Sequence, residues 1–480
     1  MFGARKIRYE SSQRSLGLAV GGIGAVHTMV QQLGLVREID RALWLLKMHV
    51  PYWESDHVLN IAYNTLCGGT CLEDLERLRN DEAYVQVLGA ERIPDPTTAG
   101  DFCRRFHPED VELLQDAFNR TRLEVWKQQP KSFFEEAVVD VDGTLVETHG
   151  ECKQGMDISH DGKWGYQTLL VSLANSREPL FLCNRPGNRN SHEGAAAYLD
   201  RAVALCRKAG FRQVLLRGDT DFSQTAYLDG WDQDGVRFLF GYDAYPNLVR
   251  IARGLPKTAW QPLSRRPQYE AQTGERDKPR RVKEKVIQRR DFVNLKLVRE
   301  HVAEFEYRPT QCQQPYRMIV VRKQIKVLKG QQLLGNQDRY LFYITNDRKR
   351  SATSLVHQAN DRCEQENLIE QLKNGVHSLR APVDNLVSNW AHMVMASLAW
   401  SLKAWVALLL PESGRWGEKH RTEKWQLVRM EFKNFVQELV RFPVLLVQTG
   451  RQTRCRLLTW NRWQHVFLRF LDVLERPLLC

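Results

Sequence analysis

No run of eighteen uncharged apolar residues occurs in the 480-residue chain, which argues against a membrane-spanning helix. The first thirty residues carry Arg and Lys but no apolar stretch with a cleavage site, so a cytosolic protein is expected. Ten cysteines are scattered along the chain and read as reduced thiols rather than a disulfide framework. The closest pair, Cys67 and Cys71, has no second Cys or His pair at zinc-finger spacing, and no zinc site is expected. Internal repeats and low-complexity tracts are also missing. What is present is enough apolar material for real cores, 43% hydrophobic and 10% aromatic, in a chain long enough for several structural units.

The formal charge is +12, which favours a polyanionic partner. Its distribution says more than its total. Residues 276–290 read RDKPRRVKEKVIQRR, residues 345–350 read TNDRKR, and the last third interleaves Trp with Arg and Lys in RWGEKHRTEKW and RQTRCRLLTWNRW. One such run is usually a solvated face. Three in one chain point to nucleic acid, with Arg280, Arg281, Lys283 and Lys285 as candidate phosphate contacts.

Residues 1–130 carry apolar residues at three-and-four spacing and read as helices. In this region Thr97 or Thr98 is the expected N-cap of the helix AGDFCRRFH. At residue 136 the period changes. AVVDVDGTLVET, GYQTLLVSLAN and PLFLCNRPG read as three strands, HEGAAAYLDRAVALCRKAG as a helix closed by Gly210, and FRQVLLRGD as a fourth strand. Residues 245–350 are rich in Arg, Lys and Gln with short strand-like runs, and read as a β-rich insertion. A helix is expected over 353–378, and long amphipathic helices from Pro382 to the end.

Asp140 and Asp142 lie two apart on the first strand and so share a face. Asp219 follows the fourth strand, with Asp221 beside it. If these strands are neighbours, their carboxylates cluster, and hard oxygen donors of this kind suit Mg²⁺ or Mn²⁺. A strand-end Asp more often caps the next element or forms an ion pair. DVDGTLV and GDTD also look like the acidic motifs of haloacid-dehalogenase-type phosphatases, in which Asp140 would be the nucleophile and Asp142 the acid/base. That alternative needs helices between parallel strands. Three consecutive strands, a helix and a strand is instead the ribonuclease-H order.

The segments Asp142-Gly143-Thr144, Leu216-Arg217-Gly218-Asp219 and RCEQENLIEQLK resemble those of the DDE transposases of bacterial insertion sequences, over roughly residues 95–400. The subgroup resembled carries Tyr-x2-Arg-x3-Glu-x6-Lys on a helix, matched here by Arg362, Glu366 and Lys373, with Ala359 where the Tyr would fall. On one helix these spacings keep the three side chains on one face. The resemblance implies an α/β, ribonuclease-H-like catalytic core with Asp142, Asp219 and Glu366 as catalytic, metal-holding carboxylates, and Asp140 in reserve for the first position. It implies two Mg²⁺ ions, replaceable by Mn²⁺, with Arg362 and Lys373 on phosphates. It also implies cleavage of transposon ends and strand transfer into target DNA, a homodimer on paired terminal inverted repeats, and a bacterial, nucleoid-associated setting. The corresponding division is a helical DNA-binding region at 1–130, core at 131–244, basic β-rich insertion at 245–350, core with the Glu helix at 351–405, and a helical region at 406–480. A catalytically inactive DNA-binding relative, and a nuclease of the same fold that does not join ends, are the other readings.

Overall fold

The computed structural model describes residues 16–264, 282–330, 332–449 and 452–475. Arg280 and Arg281, two of the candidate phosphate contacts, lie outside the described residues. Short helices, among them Ile23–Gln32 and Glu54–Leu66, precede the 20-residue helix α1, Pro108–Lys127. The helix Pro96–Cys103 is capped by Asp95, not by Thr97 or Thr98: Asp95 Oδ1 accepts the Thr98 N–H at 2.9 Å. Pro96 fits the first helical position, where no N–H is needed, and so puts the cap at Asp95, two residues before Thr97.

Among the described residues the central feature is a ten-stranded sheet. Strand β1, Glu136–Glu147, pairs antiparallel with β2, Trp164–Leu173, which pairs antiparallel with β3, Glu178–Pro186. Helix α2, Ala195–Ala209, ends at Gly210 with φ 97°, a conformation glycine adopts without strain. Strand β4, Gln213–Gly218, then lies parallel to β1 on the side away from β2. Helix α3, Thr225–Gln233, leads to β5, Arg237–Tyr242, parallel to β4. The core order is therefore β3-β2-β1-β4-β5, and β1 is flanked by one antiparallel and one parallel neighbour. The phosphatase reading, with parallel strands on both sides of β1, is excluded by this pairing.

The β-rich insertion is not a separate unit. Its long strands β6, Val293–Tyr307, β7, Tyr316–Lys329, and β8, Gln332–Thr345, form an antiparallel ladder, and β8 pairs with β5. They continue the core sheet, with Val320, Phe342 and Ile344 buried in the joint. The far halves of the same strands are exposed, including Leu295, Leu297, Leu333 and Leu334.

The helix expected over 353–378 is broken. Helix α4, Ala352–Asn360, ends at Asp361 and Arg362; α5, Cys363–Glu370, follows and passes into a wide turn at Gln371–Gly375. Helix α6, Leu386–Leu409, is long and apolar enough to cross a membrane by length and composition, but it is buried in the protein and packs on β3 and α1. A buried polar network ties these three together. Arg122 Nε donates to Glu178 Oε1 at 2.9 Å, and the indole N–H groups of Trp126 and Trp405 donate to the same carboxylate at 2.9 and 2.7 Å. With each charge paired and hydrogen-bonded, burial is tolerable. The C-terminal region is not wholly helical: Val444–Thr449 and Gln452–Leu457 form a hairpin that pairs with Leu16–Leu18.

Candidate active site

The parallel register of β1 and β4 aligns Asp140 with Arg217. Two residues further along each chain, Asp142 and Asp219 come level. Asp219 stands just past the end of β4, where its Oδ1 accepts the Asp221 N–H at 2.9 Å and fixes a tight turn, Thr220–Phe222. That turn lies against β5 at Gly241. A Cβ at Gly241 would stand 2.8 Å from the Thr220 nitrogen and 3.0 Å from the Asp219 carbonyl carbon, so only glycine lets the turn sit there.

Helix α5 brings the third carboxylate. Its inner face is held by buried Leu368 and Ile369, and by Gln365, whose Nε2 donates to the Leu170 carbonyl of β2 at 3.1 Å. Glu364 pairs with Arg177 in the β2–β3 turn. Glu366, on the open side, is 62% exposed. Arg362, at the break before α5, reaches into the space between the acids. It lies 3.0 Å from Asp142 Oδ2, 3.7 Å from Asp219 Oδ2 and 4.0 Å from Glu366 Oε1. The structure thus brings Asp142, Asp219 and Glu366 around one guanidinium.

Burial pushes the Asp142 carboxyl up to about 6, against the pull of Arg362 and with a further push from the Asp219 charge. Asp219 is raised by burial as well, again against Arg362. Three carboxylates facing one guanidinium leave net negative charge that one arginine does not cancel. Among the described residues no three acidic, His or Cys side chains stand grouped closely enough to hold a metal ion as they are. The donors fit a hard divalent cation by type and by charge, and the Arg362 guanidinium lies within ion-pair distance of all three.

Asp140, the reserve candidate, belongs to another arrangement. It is 1% exposed and accepts two hydrogen bonds from Arg217, at 2.7 and 2.8 Å, while Arg217 also donates to the Gln358 carbonyl at 2.6 Å. This pair ties α4 to the sheet and engages both Asp140 oxygens. An Arg inside the apolar strand QVLLRG was the sequence signal for it, since a buried Arg needs an acid. Lys373 does not continue one helix face with Arg362; in the wide turn after α5 its Nζ donates to the Leu145 carbonyl of β1 at 2.9 Å. Burial lowers its ammonium pKa. Lys283 and Lys285 are exposed on a helix that leads into β6 at the far end of the β6–β8 ladder. Ala359 lines a cleft of about 430 Å³ with Asp219, Tyr242, Tyr340, Arg362 and Glu366.

Two aspartates, one on β1 and one just past the end of β4, and a helix-borne glutamate, set over the middle strands of a mixed sheet, define a carboxylate-centred site. The chain belongs to the family described as transposase DDE domain group 1, whose model matches residues 5–478. No curated protein matches it. Among solved structures it is similar to the piggyBac transposase in a synaptic complex with hairpin DNA, with 9% identity and a TM-score of 0.37 over 88% of this chain and 79% of that one.

Proposed function

We propose that the protein is an active DNA transposase, with a ribonuclease-H-like core, that cuts transposon ends and transfers them to target DNA. The observation that carries this reading is the convergence of Asp142, Asp219 and Glu366, from β1, β4 and α5, on Arg362. The core order β3-β2-β1-β4-β5 supports the fold assignment. Asp142, Asp219 and Glu366 would hold Mg²⁺, or Mn²⁺ in its place. When bound, two such ions supply Lewis-acid charge that favours ionisation of an attacking water or 3′-hydroxyl and neutralises the leaving oxygen. The chain itself contributes position: the Asp219 turn is set against Gly241, and α5 is pinned by Gln365. Arg362, with five donors in a fixed fork, suits a phosphate of the cut strand once DNA is present.

DNA is the proposed macromolecular partner. The ladder residues 282–300 and 322–340 carry eleven Lys or Arg against four Asp or Glu. Lys283, Lys285, Lys296, Arg299 and Lys326 are exposed there. Such a surface attracts the phosphate backbone irrespective of sequence. A homodimer on paired terminal inverted repeats and a cytoplasmic, nucleoid-associated location belong to the same proposal. The test is incubation of the purified protein with DNA flanking its own gene, with and without Mg²⁺. Cleavage at the element's ends and joined products are expected. Cleavage without joining would make it a nuclease of the same fold, and binding without cleavage an inactive DNA-binding relative.

A further inference from the structure

We infer that Arg362 is an internal cation that holds the site closed to metal: its guanidinium occupies the space between Asp142, Asp219 and Glu366 and must leave before a divalent ion can enter. The inference rests on the metal reading proposed above. Three observations carry it. The guanidinium makes one close ion pair, with Asp142, and two looser ones, so it sits among all three acids rather than beside one. Among the described residues no acidic group is assembled for a metal while it is there, although the acids converge. And Arg362 has a way out. It stands at the break between α4 and α5, next to a cleft of about 430 Å³ whose lining includes Asp243, an alternative acidic partner.

The physical consequence is competition. Without metal, Arg362 neutralises part of the charge that three converging carboxylates would otherwise place together, and so preserves the site in the free protein. Metal binding then requires displacement of the arginine, and the apparent affinity is reduced by the fraction of molecules in which it is already displaced. A displaced Arg362 is a free guanidinium beside the cleft, ready to meet the phosphate of a bound strand. Metal entry and DNA contact would then be coupled through one side chain.

The test uses the full-length protein without DNA and Mn²⁺ alone as probe. Modification of Arg362 by phenylglyoxal, followed by peptide mass spectrometry, reports its accessibility. With saturating Mn²⁺ the rate at Arg362 should rise about tenfold over the rate in EDTA, as expected when a conformer populated at roughly 10% becomes dominant. Calorimetry of Arg362→Met, which keeps the apolar stem, should show Mn²⁺ binding about tenfold tighter than the unsubstituted protein. Arg362→Lys keeps the charge but cannot bridge three acids, and should also bind more tightly. Mn²⁺ binding that depends on Asp142 and Asp219 but leaves Arg362 reactivity unchanged would overturn the inference alone. No Mn²⁺ binding in any of the three proteins would remove the metal reading together with it.

Discussion

Asp140 and Asp142 stand two residues apart on one strand, yet their replacement should move stability in opposite directions. Asp140→Asn leaves the Arg217 guanidinium, 5% exposed, without its carboxylate. Removing one partner of a buried ion pair costs about 3–5 kcal/mol. Asp142 is the reverse case. Its folded pKa is about 6 against an ordinary 3.8, so the unfolded chain loses this proton first as pH rises. Ionised Asp142 therefore costs stability between those two values, and the cost is complete above the upper one. At about 1.4 kcal/mol per pKa unit the full cost is roughly 3 kcal/mol, reduced somewhat by the water that reaches this partly exposed group. Asp142→Asn removes that cost, so in EDTA at pH 8 it should be about 1–3 kcal/mol more stable than the unsubstituted protein. The advantage should vanish near pH 4. Urea unfolding followed by tryptophan fluorescence measures both variants. An Asp142→Asn protein that unfolds as readily as Asp140→Asn would refute the reasoning, because it would make Asp142 a structural partner like its neighbour.

Three further outcomes follow from the geometry. At limiting Mg²⁺, cleavage should fall as pH drops through about 6, because protonated Asp142 loses its donor charge, and excess Mg²⁺ should shift the fall to lower pH; a pH profile independent of Mg²⁺ would contradict this. Gly241→Ala should push the Asp219 turn off β5 and lower the cleavage rate by about 10²-fold, the order expected for a small misplacement of a reacting group, while DNA binding measured by filter retention stays close to normal. Replacing exposed Lys283 and Lys285 by Ala should flatten the log–log salt dependence of DNA affinity by about 2, since each phosphate left without its cation lowers the slope by roughly 0.9, and an unchanged slope would place this helix away from DNA.

Much of the core was legible because its strands are continuous apolar runs with turn residues between them. β1, β2, β3 and β4 fall within a residue or two of the segments read from the pattern. β5 was missed: RFLFGY is six residues long, and so short an apolar run carries no period that separates a strand from a buried helical turn. The pairing of β8 with β5, which makes the insertion part of the core sheet, joins residues about a hundred positions apart, and no local pattern encodes it. The C-terminal hairpin was masked by the Trp and Arg content of its neighbours, and its partner, Leu16–Leu18, lies at the other end of the chain. At the site, residue type and strand position pointed to Asp142 and Asp219, and the family resemblance added Glu366 and Arg362. Their arrangement did not follow from spacing. The break at Asp361 and Arg362 lets the guanidinium turn in among the acids, and the turn after α5 sends Lys373 to a backbone carbonyl.

The central claim is that Asp142, Asp219 and Glu366 form one metal-dependent site for DNA cleavage. Its most direct test is cleavage of DNA flanking the protein's own gene by Asp142→Ala, Asp219→Ala and Glu366→Ala, with DNA affinity measured on the same preparations. Each variant should lose Mg²⁺-dependent cleavage while binding DNA nearly as tightly as the unsubstituted protein. Full cleavage by any one of the three would contradict the claim for that residue, and full cleavage by Asp142→Ala would contradict the site as a whole.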